Sequence, residues 1–548
     1  MGRNVIRGAK LRGRDRTQQA IGENGVNLRV KYFVFLLLLL TGKTLLAQQT
    51  DLAAAISLGA LYTLPSGANS DSGVAAEGGQ SGAKAPAGVQ QKQGSLNVFG
   101  GWRFRSEAWD WFQPTSGQNS YGFAHSLLRA GIGQTRERFD WLIEGAQDAI
   151  LGLPGNAIAP GSQGQLGLGG TYYAANGNRR NVASGFLKQA YLGIHLPSNG
   201  KLTVGRFGFS DGMEVTPADP TLAQVVNTRI AQRLIGEFNF SAVLRSFDGI
   251  RLGLGAGKSN FTFLAVRPTE GAFQVGAMGE LNVDLFYGAY TLPTEYHHGS
   301  GELRIFAMGY VDQREGVVKT DNRPLAARLA DTNQVRIGTY GADYAQVLPT
   351  SGRGQFDFLL WGAWQNGSWG SLTQRAGAFA GEFGWQPPIP TVKPWISAGY
   401  SFGSGDSNPA DNRHGTFFQL LPTPRLYARF PFYNMENNED FYGTAEFHLP
   451  RSVSARSEVH ALRLANAQDL WYSGGGAFQS STFGYSGRTS GGSRSLANVW
   501  DASLDFPLRY GFSATIYYGH AWGKSVIASI YPRGTNAQFG YLETNFRF

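Results

Sequence analysis

Beyond residue 95 the chain is a succession of stretches in which apolar and polar side chains alternate, the period of an extended strand with one apolar and one polar face. From Leu96 to Glu107, Val98, Trp102 and Phe104 share one face, while Asn97, Arg103, Arg105 and Glu107 share the other. From Arg138 to Asp148, Phe139, Trp141 and Ile143 alternate with Arg138, Asp140, Glu144 and Asp148. Further on, Leu303, Ile305 and Ala307 alternate with Glu302, Arg304 and Asp312. A soluble sandwich has the same period, because it hides its apolar faces in one core. A wide barrel turns them outward all round and keeps the polar faces about a lumen. Periodicity does not separate the two, but the ends of the chain do.

Arg29 and Lys31 precede the apolar run Phe33 to Leu40, and Leu45-Leu46-Ala47 offers a cleavage site before Gln48, so residues 1–47 are expected to be a secretory signal. The residues before Arg29 are basic and without periodicity, and a start near Val30 would give a signal of ordinary length. Residues 48–94 are expected to be a flexible periplasmic linker, since Gly, Ala, Ser and Gln dominate from Ser66 to Gly94 and cannot bury enough surface to offset the entropy of ordering. At the other end Tyr541, Leu542, Phe546 and Phe548 resemble the closing-strand signal read by the outer-membrane assembly machinery, with Glu543 where that signal usually has glycine. No segment after the signal has the roughly 20 apolar residues a spanning helix needs. Any crossing is therefore made by strands, and residues 95–548 are expected to form one barrel in the outer membrane of a Gram-negative bacterium.

Counting alternating segments gives 19 candidate strands from the sequence. Single-chain bacterial barrels use even numbers. Assigning Gly236 to Arg245 to a loop puts the short connections Arg136 to Arg138, Pro197 to Gly200, Ala256 to Lys258 and Gln386 to Pro390 on one side, as periplasmic turns. The long stretches after Ile150, Phe209, Phe402 and Ala465 then fall on the outer side. The fold expected is an all-β, antiparallel, up-and-down transmembrane barrel of about 18 strands with long extracellular loops, wide enough for an aqueous path unless loops obstruct it.

Composition agrees: 75 glycines, 36 Phe, 23 Tyr, 12 Trp and only 16% charged residues suit tight turns and aromatic girdles. With no cysteine there is neither a disulfide nor a thiolate metal site. The net charge of +9 is largely a property of the signal: residues 1–47 hold nine Lys/Arg and two Asp/Glu, a net of +7, which leaves +2 for the rest. A pI of 9.5 is thus no sign of nucleic-acid binding, and there is no basic helix or aromatic-basic module that would support it.

Function in such a chain belongs to the lumen face. Arg103, Arg105, Arg129, Arg251, Arg304 and Arg336 are expected to point inward, with Asp140, Glu144 and Glu302 among their partners. Arginine's planar fork suits carboxylate and sulfate groups, and a ring of such residues makes an anion-selective constriction. The competing reading is that they form ion pairs that brace the wall. Asp406, Asn408 and Asp411 could offer oxygen ligands to Ca²⁺, but their spacing is not that of an EF-hand and turns capped by Asx hydrogen bonds are the simpler account, so no metal or cofactor is expected. Gly164 to Gly170 and Gly474 to Gly476 lack the strand-to-helix setting of a phosphate loop. His297-His298 reads as a solvated turn, since strand neighbours point to opposite faces. His125 beside Ser126, His448 and His460 leave a barrel hydrolase conceivable without forming a catalytic arrangement, and no enzyme is expected.

One stretch goes further. Gly405-Asp406, Asn408-Pro409, Asp411, Thr416-Phe417, Gln419-Leu420 and Pro422-Thr423, after the strand Trp395 to Phe402, resemble the signature region of the bacterial alginate-export family. So do Arg245 to Leu252 and Val204-Gly205-Arg206. The resemblance implies an 18-stranded outer-membrane channel with a basic lumen, whose loops constrict a path for an anionic exopolysaccharide. It leaves uronate polymers, oligosaccharides and small anions open as cargo, and a general or oligosaccharide-uptake porin as the alternative to export. A barrel enzyme and a structural barrel that binds partners through its loops are the rivals from other classes.

Overall fold

A computed structural model describes residues 96–423 and 427–548. The expected signal and linker, residues 1–94, lie outside them, as do Pro424 and Arg425 of the signature region. Eighteen long strands follow in chain order: β1 Leu96–Asp110, β2 Ser120–Thr135, β3 Phe139–Leu151, β4 Val182–Leu196, β5 Gly200–Phe207, β6 Phe247–Ala256, β7 Ser259–Pro268, β8 Val283–Tyr296, β9 Gly299–Asp312, β10 Val335–Thr350, β11 Gly354–Trp369, β12 Leu372–Gln386, β13 Trp395–Gly403, β14 Asn438–His448, β15 Ser454–Arg463, β16 Ser495–Pro507, β17 Phe512–Gly523 and β18 Asn536–Arg547. Each pairs antiparallel with the next, and β1 pairs with β18 from Gly101↔Arg547 to Asp110↔Gln538, so the sheet closes. Closure leaves no unpaired edge, the condition for strands to cross hydrocarbon.

The alternation read from the sequence is what the barrel uses. Leu360 (60% exposed), Val98, Ile305, Phe286 and Trp102 face outward, whereas Arg105 (2%), Glu107, Glu144, Arg304 and Asp343 face inward and are buried. Apolar exposure of this extent is stable only against lipid. Near the long-loop rim the outer face carries a charge ladder on four consecutive strands: Arg206 of β5 is opposite Asp248 of β6, and Asp248 is opposite Arg267 of β7. Arg206 grips Asp248 at 2.6 and 2.7 Å, and Arg267 reaches Asp284 of β8 at 2.6 Å. Such mutual pairing suits the edge of the apolar band.

The connections sort by rim, and all but the two-residue 370–371 of the second rim are longer than any at the first. Residues 136–138, 197–199, 257–258, 297–298, 351–353, 387–394, 449–453 and 508–511 join strands at one rim. At the other rim lie 111–119, 152–181, 208–246, 269–282, 313–334, 370–371, 404–437, 464–494 and 524–535. The short connections expected at the periplasmic side share the first rim, and the long ones share the second. Gly236 to Arg245 is loop, which reconciles 19 candidates with 18 strands. His297 and His298 are a two-residue hairpin turn, both with φ positive (47° and 62°). The two weaker signature segments meet in the wall: Gly205 is opposite Gly249, with φ of 124° and 152°, and a Cβ at either would lie 2.3 or 2.2 Å from a carbonyl of the neighbouring strand. Only glycine fits there.

Candidate functional site

Three long connections of the loop rim fold into the lumen. Segment 208–246 crosses it from wall to wall. Lys188 of β4 donates to Glu237 Oε2 and to the Arg245 carbonyl, both at 2.7 Å, and Arg105 of β1 donates to the Phe240 carbonyl at 2.7 Å. On the far side Arg229 pairs with Glu382 of β12 and donates to Ser397 Oγ of β13 at 3.1 Å. β13 is nine steps from β4 in a ring of eighteen, with eight strands between them on either side, so these anchors are on opposite walls. The short helix α1, Pro220–Val225, starts on an Asp219 cap and reaches the turn rim, where Gln355 Nε2 donates to Thr221 Oγ1 at 2.6 Å. Lys188 gets its aim from a β-bulge: Glu144 is opposite Gln189 and Gly145 opposite Leu187, so the extra residue turns inward with its neighbour.

Segment 404–437 carries the signature residues and packs on the first segment through the backbone. Leu421 N–H donates to the Leu234 carbonyl, Gly236 N–H to the Leu421 carbonyl, and Thr423 N–H to the Gln232 carbonyl, at 2.8 to 2.9 Å. Gln419, fully buried, is the crossing point. Its Nε2 donates to the Arg233 carbonyl at 2.7 Å, its Oε1 accepts from Met435 N–H at 3.1 Å, its N–H donates to Glu436 at 3.2 Å, and its carbonyl accepts from Tyr485 of segment 464–494. Thr416 Oγ1 and the Asp406 N–H both donate to Asp469 of that third segment, at 2.6 and 2.8 Å. One amide and one carboxylate thus tie three infolded segments together.

Asp406, Asn408 and Asp411 do not converge on a common point: Asp406 accepts from Asn408 N–H, Asn408 from Ala410 N–H and Asp411 from Arg413 N–H, at 2.9 to 3.1 Å. These are three successive Asx turns, the simpler account of the motif. Burial pushes the Asp406 carboxyl up to about 6 and the Asp211 carboxyl up to about 7, and holds Glu436 well above the usual carboxylate range. Asp211 accepts from the Leu234 and Ile235 N–H groups and lies 3.7 Å from Arg304. Burial also lowers the Arg245 guanidinium to about 10 and His414 to about 3.

Of the residues expected to line the pore, Arg103, Arg105, Arg129, Asp140, Glu144, Arg251, Glu302 and Arg304 face the lumen. Most brace it. Arg105 and Glu543 form a buried pair, Arg129 takes Glu144 bidentately at 2.8 and 2.9 Å, Arg304 takes Asp343 at 2.8 Å, and Asp140 takes His195 at 2.7 Å and Lys201 at 2.8 Å. Arg103 donates to the Asn239 carbonyl of the first infolded segment at 2.5 Å. Arg336 is a correction. Val335, Ile337 and Asp343 take the inward positions of β10, so Arg336 stands on the outer face by the loop rim, where it donates to Gln334 at 2.8 Å. The alternation misleads here because Val335 and Ile337 are apolar yet face inward, in one buried cluster with Phe417 and Phe418 of an infolded segment. His125 points inward to Glu107 at 3.1 Å, while Ser126 points outward to Trp102 at 2.8 Å, so the two do not form a pair.

Arg233, Arg245 and Arg251 are different: their interior guanidinium groups contact no described carboxylate. Arg233 lies over Trp361 (5.1 Å) and Tyr427 (5.6 Å), Arg245 over Phe238 (5.6 Å) and Arg251 over Phe209 (5.7 Å). Aromatic faces hold such cations without cancelling their charge. Sequence reasoning missed Arg233, Lys188, Asp211, Asp469 and the role of Glu543, since each acts through a partner remote in the chain. Below the infolded segments, toward the turn rim, a cavity of about 1150 Å³ is lined by α1, by the proline-rich turn 387–394 and by Trp395, Lys393, Arg429 and Arg456, with Glu446 and Asp505 as its carboxylates.

A family model described as alginate export matches residues 170–523. Among solved structures, OccK9 (OpdG) of Pseudomonas aeruginosa is similar with 11% identity and a TM-score of 0.50, over 83% of this chain and 98% of that one. OccAB2 of Acinetobacter baumannii has 9% identity and a TM-score of 0.50, over 82% and 98%. At such identity these likenesses speak for the fold alone. No curated protein matches the sequence.

Proposed function

The chain belongs to the alginate-export family of outer-membrane channels, and on that premise we propose that it carries an anionic saccharide passively across the outer membrane, an alginate-like exopolysaccharide leaving the cell. The observation that supports this cargo is the set of interior arginines that contact no carboxylate among the described residues, Arg233, Arg245 and Arg251. Their field favours polyanions over cations, and it does so with planar donors matched to carboxylates. The turn-side cavity adds room for sugar rings, with Lys393 and Arg429 in its lining to offset Asp505, while Arg456 is held by Glu446 and Glu458. A passive pore has no intrinsic direction, so export follows from where the polymer is made. Because segment 208–246 crosses the lumen and segments 404–437 and 464–494 pack onto it, a polymer passes only when they shift, and cargo that binds the shifted arrangement better supplies the bias.

Reversal potentials across planar bilayers under a salt gradient test the charge argument: anion preference is expected, and clear cation preference overturns it. Block of the current by oligouronates, with neutral oligosaccharides of equal length inactive, is the expected signature of the cargo. Equal block by both would remove the anionic cargo and leave a general saccharide pore.

A further inference from the structure

The lumen face of β14, β15 and β16 holds a cluster that contact with the infolded segment 404–437, through Tyr433 and Arg429, explains only in part. Glu458 and His460 are two residues apart on β15 and so share its inward face. Asp501 of β16 is directly opposite Glu458 in the ladder. One donor atom from each of the three lies within 4.8 Å of the others, and all three residues are buried. Asp440, on the neighbouring strand, holds the imidazole: its carboxylate oxygens are 2.9 and 3.1 Å from His460 Nδ1, with the Tyr433 hydroxyl at 3.3 Å. That leaves Nε2 as the nitrogen able to bind an ion. His460 is 94% buried, counting from its 6% exposure, and its Nε2 has no hydrogen-bond partner. Glu458 divides in the same way. Its Oε1 accepts from Thr444 Oγ1 at 3.2 Å and pairs with Arg456, whereas its buried Oε2 has no partner.

A wall ion-pair cluster would account for Arg456, which bridges Glu446 at 3.2 Å and Glu458. It does not account for a histidine clamped on one nitrogen with the other buried and unused, because an orphaned ring nitrogen costs free energy that a bonded one does not. A carboxylate fixing the far nitrogen of an imidazole is the usual outer support of a metal-bound histidine, and sets both its tautomer and its aim. One imidazole with two carboxylates and no thiol suits Zn²⁺ and its borderline neighbours, and three protein ligands leave a coordination position for water.

We propose that Glu458, His460 and Asp501 form a divalent-metal site on the lumen wall, with Asp440 positioning the histidine, and that Zn²⁺ is the ion the donor set fits. The site adjoins the turn-side cavity, since Arg456 both lines that cavity and touches Glu458. An ion there ties β15 to β16 and adds positive charge next to the arginines of the cavity mouth.

The test is a calorimetric titration of the detergent-solubilised, untagged full chain, stripped with a chelator and titrated with Zn²⁺. One ion per chain is expected, lost in the double variant Glu458→Gln with His460→Gln, and weakened about tenfold or more in Asp440→Asn, which touches only the orienting partner. Heat-modifiable mobility in gels reports whether each variant still forms a barrel. X-ray absorption of the Zn²⁺-loaded wild type should show one imidazole nitrogen among oxygen donors, and needs no variant. Uptake by the wild type no greater than by the folded double variant, or a bound ion whose shell lacks imidazole, would overturn the site.

Discussion

The side-chain amide of Gln419 donates to the main-chain carbonyl of Arg233 across 2.7 Å, and so joins two segments that enter the lumen from β13 and from β5. The same glutamine receives Met435 N–H and the Tyr485 hydroxyl, so one signature residue touches all three infolded segments. A fully buried amide with every polar atom engaged fixes a single arrangement and resists partial loss.

Replacing Gln419 with leucine should therefore loosen the lumen without disturbing the barrel. Each buried group left unpaired costs about 1–3 kcal/mol, and each 1.4 kcal/mol is about tenfold in an equilibrium. Single-channel recording should show openings at least about tenfold more frequent than in the wild type, with heat-modifiable mobility unchanged. Unaltered gating would mean that Gln419 does not hold the segments in place.

Arg105 and Glu543 form the buried seam pair where β1 meets β18, stacked on Phe240 at 4.0 Å and Tyr541 at 4.7 Å. Arg105→Ala leaves Glu543 buried without that partner, and breaking such a pair costs about 3–5 kcal/mol. A lower urea midpoint for unfolding in detergent is expected, with part of the loss recovered in Arg105→Ala combined with Glu543→Gln, read as a double-mutant cycle.

Selectivity should follow lumen arginines that contact no described carboxylate, and not arginines of the outer face. Arg251→Ala is expected to reduce anion preference in reversal-potential measurements, whereas Arg336→Ala, on the outer face, should leave it as in the wild type. Equal effects of the two would contradict the inward and outward assignment.

The infolded segments should be pH-sensitive in one direction. Burial raises Asp211 to about 7 and Asp406 to about 6, so each binds a proton in the folded arrangement at pH values where an exposed aspartate has lost it. Their contribution to stability is complete below the usual carboxylate range and declines as pH rises through about 6 to 7. Protease cleavage within residues 208–246 should accelerate across that window. Asp211→Asn, which stays neutral, should flatten the dependence; an unchanged pH profile in that variant would remove Asp211 from the account.

The barrel was legible in the chain because lipid leaves a wall strand no choice: its outward positions are apolar and its lumen positions polar, so Trp102 and Arg105, or Ile305 and Arg304, declare their faces locally. Turn lengths and parity then fixed eighteen strands. The sequence alone also marked Gln419 and Thr416 as unusual, though not what they touch. Only the tertiary structure decided that most inward arginines are braces, since an ion pair depends on partners as remote as Arg105 and Glu543, or Lys188 and Glu237, which closure and a bulge bring together. In β10 the apolar Val335 and Ile337 turn inward, into one buried cluster with Phe417 and Phe418 of an infolded segment, so the local rule assigns Arg336 to the wrong face. Loops in the path were implied by the family resemblance alone, and which three turn into the lumen is not legible in the residues: their apolar side chains, Phe240, Phe417 and Phe432 among them, carry no period, and only the space inside a closed barrel gives them somewhere to be buried.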